Sequence, residues 1–346
     1  MKVELKRLDQ QVIVITGASS GIGLATARRA ARKGARLILA ARNGDALGHL
    51  ADEIRHDGGS AVPVEADVGS EEDIRRIADV ARREFGGFDT WINNAGASVY
   101  GQCLEVSIED MRRVFETNFW GVVYGSRVAC AHLRQSGGAL INIGSEVSDK
   151  AVPLQGIYSA SKHAVKGWTD ALRMELEYEG APVSVTLIKP GPIDTPYTEH
   201  AKNYLPDQPK HAPPVYTPES VAEAILYAAT TPVRDLFVGG GAKLVSSMDK
   251  WAPRMTDRFV ERMLISGTHS GQPREGKDAL HEPGEGLRER GNYPGMVRNS
   301  IYTRASIHPV LTGVAAVGAG LLLAALWRGH DNHSSVPDRN IAAIEK

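Results

Sequence analysis

From residue 12 to about 238, short apolar runs alternate with longer amphipathic ones. The apolar runs are VIVIT at 12–16, RLILA at 36–40, AVPVEAD at 61–67, TWINN at 90–94, ALINIG at 139–144, VSVTLI at 183–188 and DLFVG at 235–239. Their β-rich, nearly continuous apolar character predicts parallel strands covered on both faces. Between them, GIGLATARRAARKG, SEEDIRRIADVARREFG and ESVAEAILYAATT predict helices, with Ser70 as an N-cap ahead of acidic residues. Strand–helix alternation of this kind predicts an α/β fold with a doubly wound sheet.

The pattern changes towards the C-terminus. WAPRMTDRFVERMLI at 251–265 predicts an amphipathic helix with Pro253 near its first turn. Trp251, Met255, Phe259 and Met263 recur on it every four residues. Such a stripe reads as packing, with a substrate lid or a surface-lying membrane helix as the alternatives. Residues 266–300 hold seven glycines and three prolines among many charges. So little apolar surface predicts a linker or a loosely ordered arm. Residues 310–327, VLTGVAAVGAGLLLAALW, carry no charge. Eighteen helical residues span about 27 Å, close to the hydrocarbon thickness of a bilayer. Arg304 and Arg328 flank the run and Trp327 sits at its end, so it reads as a membrane span, with a buried core helix as the alternative. The layout is then a catalytic domain over 1–245, an amphipathic helix region over 246–265, a linker over 266–306, a transmembrane helix over 307–328 and a polar tail over 329–346.

Composition narrows the function classes. A chain of 346 residues, 42% hydrophobic, can bury a sizeable core. A formal net charge of -1 leaves no nucleic-acid footprint. Cys103 and Cys130 stand far apart with no metal-ligand spacing, which argues against a disulfide framework or a zinc site. The polar N-terminus is no signal peptide, so the folded part is expected in the cytoplasm.

The chemistry is carried by two segments. TGASSGIG at 16–23 lies between a strand and a helix. Gly17 permits the turn, while Gly21 and Gly23 allow a pyrophosphate and the sheet to come close, with the helix N-terminus facing the phosphates. At the end of the second strand, Ala41 and Arg42 stand where an acidic residue would repel a 2′-phosphate, favouring NADP(H). A solvated surface Arg is the alternative. Tyr158 and Lys162, at i and i+4, share a helix face. An ammonium beside a phenol stabilises the phenolate, and Ser145 can hydrogen-bond a carbonyl oxygen that gains charge in hydride transfer. His163 projects to a different face.

With these motifs and NNAG at 93–96 and PGPIDTP at 190–196, the chain resembles the short-chain dehydrogenase/reductase family over about residues 8–240. The resemblance implies a Rossmann-like domain with a seven-stranded parallel sheet. It implies catalysis by Asn118, Ser145, Tyr158 and Lys162. It implies a cofactor site of Gly17, Ser19, Ser20, Gly21, Ile22, Gly23, Arg42, Asp67, Val68, Asn94, Ala95, Gly96, Pro190, Gly191, Ile193 and Thr195, joined by Tyr158 and Lys162. Within it, Asp67 and Val68 hold the adenine, Asn94 braces the sheet, Asn118 holds a relay water, and Ile193 and Thr195 contact the carboxamide. A homodimer or homotetramer is implied through the helices bearing Asn118 and Tyr158. The C-terminal hundred residues depart from the family and look like a tail anchor, with Arg288, Arg290, Arg298 and Arg304 on the domain side. The expected function is NADP(H)-dependent interconversion of a carbonyl and an alcohol, on a lipophilic small molecule met at the membrane. A non-catalytic cofactor sensor and an epimerase or dehydratase are the alternatives. The segment from about 194 to 217, with the arm after 245, is expected to form the substrate pocket.

Overall fold

The structure, a computed structural model, describes residues 3–308 and 312, apart from 275. Each of the seven apolar runs forms a strand: β1 (Val12–Thr16), β2 (Arg36–Ala41), β3 (Ser60–Glu65), β4 (Thr90–Asn93), β5 (Gly138–Ile143), β6 (Val183–Pro190) and β7 (Asp235–Val238). They lie in the order β3-β2-β1-β4-β5-β6-β7, with every neighbouring pair parallel. The order reverses between β1 and β4, and ligands bind such sheets in the crevice beyond the strand ends at that reversal. All five residues of β1 are buried, each large aliphatic one contributing about 1.5–3 kcal/mol of transfer free energy.

Seven helices cover the sheet: α1 (Gly21–Arg32), α2 (Gly44–His56), α3 (Glu71–Phe85), α4 (Ile108–Phe115), α5 (Gly121–Ser136), α6 (Gly156–Tyr178) and α7 (Pro218–Ala228). Ser70 caps α3 by accepting from the Asp73 amide. Between α4 and α5 the helix widens into a π turn at Glu116–Trp120, a feature common at functional sites.

A chain of buried side-chain bonds runs through the middle of the sheet. Trp91 Nε1 donates to Asn93 Oδ1 at 2.7 Å, and Asn93 Nδ2 donates to Asn142 Oδ1 at 2.8 Å. Asn142 Nδ2 then donates to Thr169 Oγ1 on α6 at 2.9 Å. Buried amides cost dearly when unpaired, so these bonds fix β4 against β5 and α6 against both.

Two expectations for the C-terminal part are corrected. The four-residue stripe does not pack: Trp251, Met255 and Phe259 are exposed. Trp251 ends helix α8 (Gly240–Trp251), and the next helix, α9 (Pro253–Gly267), buries Thr256 and Val260 instead. Spacing defines a helix face but not the side on which a neighbour stands. Nor is the Gly/Pro-rich stretch loose. It adds a strand, His269–Pro273, beside Asp207–Pro209, and another, Val297–Arg298, beside Val215–Tyr216. Leu280 is buried among Val99, Val106 and Val114. The chain divides into one unit of Met1–Thr303 and another of Arg304–Lys346, so the catalytic unit runs well past 245.

Among the described residues, no helix is long and apolar enough to cross a membrane. The run at 310–327, apart from Thr312, and the tail at 329–346 lie outside the described residues.

Replacing Asn142 by Ala orphans the Asn93 amide and is expected to lower unfolding free energy by about 1–3 kcal/mol. Urea denaturation measures it, and a midpoint unchanged from the parent would show that the buried chain does not hold the sheet.

Candidate active site

The turn after β1 is built for close approach. Gly17 has φ +66°, a conformation costly for side-chain-bearing residues. A Cβ on Gly23 would sit 2.0 Å from the Gly17 carbonyl oxygen, so that position packs helix against turn. Asn94 Nδ2 donates to the carbonyls of Thr16 and Gly17 at 2.9 and 3.3 Å, and the Ala95 amide donates to Thr16 Oγ1. Ser20 precedes α1 without a side-chain cap bond, so the first-turn N–H groups have no such protein partner. Across the crevice, the loop after β6 brings Thr195 to within 3.2 Å of where a Gly21 Cβ would stand.

Helix α6 delivers Tyr158 and Lys162 one turn apart, with the Lys162 ammonium 5.8 Å from the Tyr158 ring centroid. Lys162 is buried and donates to the Ile143 carbonyl at 2.8 Å. Burial lowers its pKa to about 8. Ser145 caps a short turn at Glu146–Ser148, its Oγ accepting from the Val147 amide. The Ser145 and Tyr197 hydroxyls stand near the Tyr158 hydroxyl. Burial raises the Tyr158 pKa, partly offset by those two hydroxyls. Asn118, in the π turn, is wholly buried and exchanges bonds with the Ala97 main chain while donating to Ser161 Oγ.

A cavity of about 320 Å³ joins these parts. Every sequence-predicted site residue lines it except Gly23 and Asn118, which stand behind its wall. The wall also includes Tyr100, Glu146, Gln155, Tyr197, His200 and His211. The signal for Glu146 was its place directly after Ser145. The residues from 197 to 212 fall in the segment expected to form the pocket.

The far end of the crevice holds a surprise. Arg42 does not stand free: its guanidinium donates to the carbonyls of Ala279, Leu280 and His281. Arg113 likewise donates to the Leu280 carbonyl and to Asp67 at 2.5 Å. Burial would raise the Asp67 pKa, but Arg113 and the Gly69 amide bring it below the usual carboxylate range. Residues 278–293 form a strap from one rim of the crevice to the other. On the glycine-loop side, the Leu287 amide donates to the Ser19 carbonyl, the Gly21 amide donates to the Arg288 carbonyl, and Asn43 Nδ2 donates to the Gly284 carbonyl. On the other side, Arg288 pairs with Glu199, Lys202 pairs with Asp278, and the Ala279 amide donates to the His200 carbonyl. Ala279, Pro283, Gly284 and Glu285 thereby become wall residues.

This cradle of glycines, at a helix start that lacks a side-chain cap and whose Gly21 amide is held by the strap, and a cleft ending beside Arg42 fit a dinucleotide. No group of three or more His, Cys, Asp or Glu able to hold a metal ion occurs among the described residues.

Leu280→Ala removes the apolar anchor of the strap, a change of the kind that costs about 2–5 kcal/mol in a core. Hydrogen exchange at the Ala279 and Leu287 amides is expected to accelerate at least tenfold. Unchanged exchange there would mean that the polar contacts alone hold the strap.

Comparison with known proteins agrees with this geometry. The short chain dehydrogenase family profile matches residues 11–205. An uncharacterized oxidoreductase of Bacillus subtilis, YxnA, is 51% identical over 93% of this chain and 91% of its own length. Among solved structures, a Burkholderia phymatum short chain dehydrogenase/reductase in complex with NAD superposes with a TM-score of 0.66 at 26% identity, covering 72% of this chain and 96% of that one. An alcohol dehydrogenase of Thermococcus sibiricus, complexed with 5-hydroxy-NADP, gives 0.59 at 27% identity over 66% and 95%. With the sheet order, the glycine turn and the Ser145–Tyr158–Lys162 cluster, these matches make the chain a member of the short-chain dehydrogenase/reductase family of oxidoreductases.

Proposed function

We propose that the protein is an NADP(H)-dependent oxidoreductase that interconverts a carbonyl and an alcohol. The observation that carries this reading is the convergence of Ser145, Tyr158 and Lys162 on one wall of a cleft whose other end is the glycine loop. A nicotinamide cofactor, when bound, supplies or accepts the hydride. In the reductive direction Tyr158 hydrogen-bonds the substrate carbonyl and gives up its proton as charge grows on that oxygen. Ser145 donates to the same oxygen. The Lys162 ammonium stabilises the phenolate left behind and would also hold ribose hydroxyls. Asn118 supports proton resupply towards Lys162.

The dinucleotide would lie along Gly17–Gly23, Asn94–Gly96 and Pro190–Thr195, with Asp67 and Val68 at its adenine. Arg42, following Ala41 with no carboxylate at that strand end, supports NADP(H) over NAD(H). The exposed Trp120, Met174 and Tyr178 support association of copies through the π turn that bears Asn118 and through α6. The lipophilic substrate expected from the 310–327 run draws no support from the cleft, where several polar groups converge.

Purified full-length protein should oxidise NADPH with a carbonyl substrate, and Tyr158→Phe should lower kcat by about 10²–10⁴-fold while cofactor binding persists. Equal turnover by the mutant would remove Tyr158 from the chemistry. The pH profile carries a second signature. Below about pH 8 Lys162 is charged, so kcat/KM for reduction should be level; above that value Lys162 loses its proton and kcat/KM should fall. A profile that rises across pH 8 in the reductive direction would refute the ammonium role. For the cofactor, the ratio of kcat/KM with NADPH to that with NADH should exceed ten and drop below one in Arg42→Asp. A parent ratio near one would leave Arg42 as a clasp for the strap alone.

A further inference from the structure

Arg42 is a half-buried cation held by uncharged groups. A guanidinium carries five N–H donors in a rigid fork. Here Nη1 donates to the Leu280 and His281 carbonyls at 3.1 and 3.0 Å, and Nη2 donates to the Ala279 carbonyl at 2.5 Å. The Nε–H and one Nη2–H have no protein acceptor among the described residues, and no carboxylate there stands within ion-pair distance. Burial lowers the Arg42 pKa, and the Arg113 cation nearby lowers it further. The two arginines meet at one atom. Arg113 Nε donates to the same Leu280 carbonyl at 3.2 Å, which fills both lone pairs of that oxygen, while Arg113 Nη2 takes the Asp67 carboxylate.

The peptide that offers these carbonyls is fixed from behind. Leu280 is 1% exposed and packs among Val99, Val106 and Val114. Its amide donates to Asp278 Oδ1 at 3.1 Å, and Asp278 Oδ2 pairs with Lys202. Arg42, Asp67 and Ala279 line the cleft, whereas Leu280 and Arg113 do not. A free arginine side chain loses rotamer freedom when it grips a ligand, and one already held loses less per bond. The carbonyls take three donors and leave two, enough for a bidentate bond to one phosphate. A half-buried cation gains most from an anion when no carboxylate already neutralises it. Asp67 does not oppose that anion, because Arg113 offsets its charge.

We propose that Ala279, Leu280 and His281 are positioning residues for the cofactor's 2′-phosphate: their carbonyls hold the Arg42 guanidinium in place, and the Leu280 side chain anchors the carbonyls. This rests on the NADP(H) reading above and deepens it. Cofactor choice is then set jointly by the end of β2 and by a segment of the strap far along the chain. The carbonyls work with the phosphate rather than against it, since each uses a different part of the fork.

Binding tests it without any carbonyl substrate. Adenosine 2′,5′-bisphosphate is the probe and 5′-AMP its control, each titrated calorimetrically into the full-length protein. The parent should bind the bisphosphate about tenfold or more tightly than the control. In Leu280→Ala that affinity ratio should fall about fivefold, while Leu280→Met, which keeps the hollow filled, should retain it. In Arg42→Ala the ratio should approach one, and adding Leu280→Ala to that variant should change it no further. Because each ratio is taken within one preparation, a general loss of folded protein cancels. A ratio that Leu280→Ala leaves alone, or lowers equally with Arg42 absent, overturns the positioning role while the NADP(H) preference stands. A parent ratio near one overturns that preference and this inference together, and leaves the oxidoreductase reading to the Tyr158→Phe comparison.

Discussion

The central constraint is that an amide buried in this sheet has to find a partner. Trp91, Asn93, Asn142 and Thr169 form one connected chain from β4 through β5 to α6. A slip of one residue in β4 or β5 would turn these groups to the wrong face. A slide of α6 along the sheet would part Thr169 from Asn142. Tyr158 and Lys162 ride on that same helix, so their distance from Ser145, at the end of β5, is set by bonds well behind the site. Gly125 completes the arrangement: a Cβ there would stand 2.1 Å from Asn93 Oδ1. The reactive end of the cleft is rigid because its supports are polar, buried and mutually dependent.

The parts of this architecture that obey local rules were legible in the sequence. β1 reads as a continuous apolar run because both its faces are covered, and Ser70 declares itself by the acidic residues it precedes. The glycine turn is readable because backbone geometry at Gly17 and packing at Gly23 leave little choice of residue. Tyr158 and Lys162 are readable because a helix face fixes what lies four residues on, and because the family motif ties them to Ser145.

What escaped depends on partners far away along the chain. The Gly/Pro-rich stretch has a composition that buries little apolar area, and by that measure it should be loose. Its order comes from main-chain carbonyls taken by Arg42, Arg113 and Asn43, from ion pairs to Glu199 and Lys202, and from one leucine in a prepared hollow. Composition does not count such bonds. Arg42 shows the same limit: its charge is visible in the sequence, the carbonyls its guanidinium meets are not. Glu146 is marked only by following Ser145, and His211 only by lying in the segment expected to form the pocket, since what surrounds a side chain is not a matter of spacing.

The strap also bears on how the chain comes off the ribosome. Synthesis has delivered the whole sheet and the Ser145–Tyr158–Lys162 cluster once Val238 has emerged, yet the outer wall of the crevice needs residues some forty positions later. Until then the nascent chain holds a finished floor with an open side. A fragment cut after β7 keeps every reactive group but lacks the strap, and its crevice is open along that side.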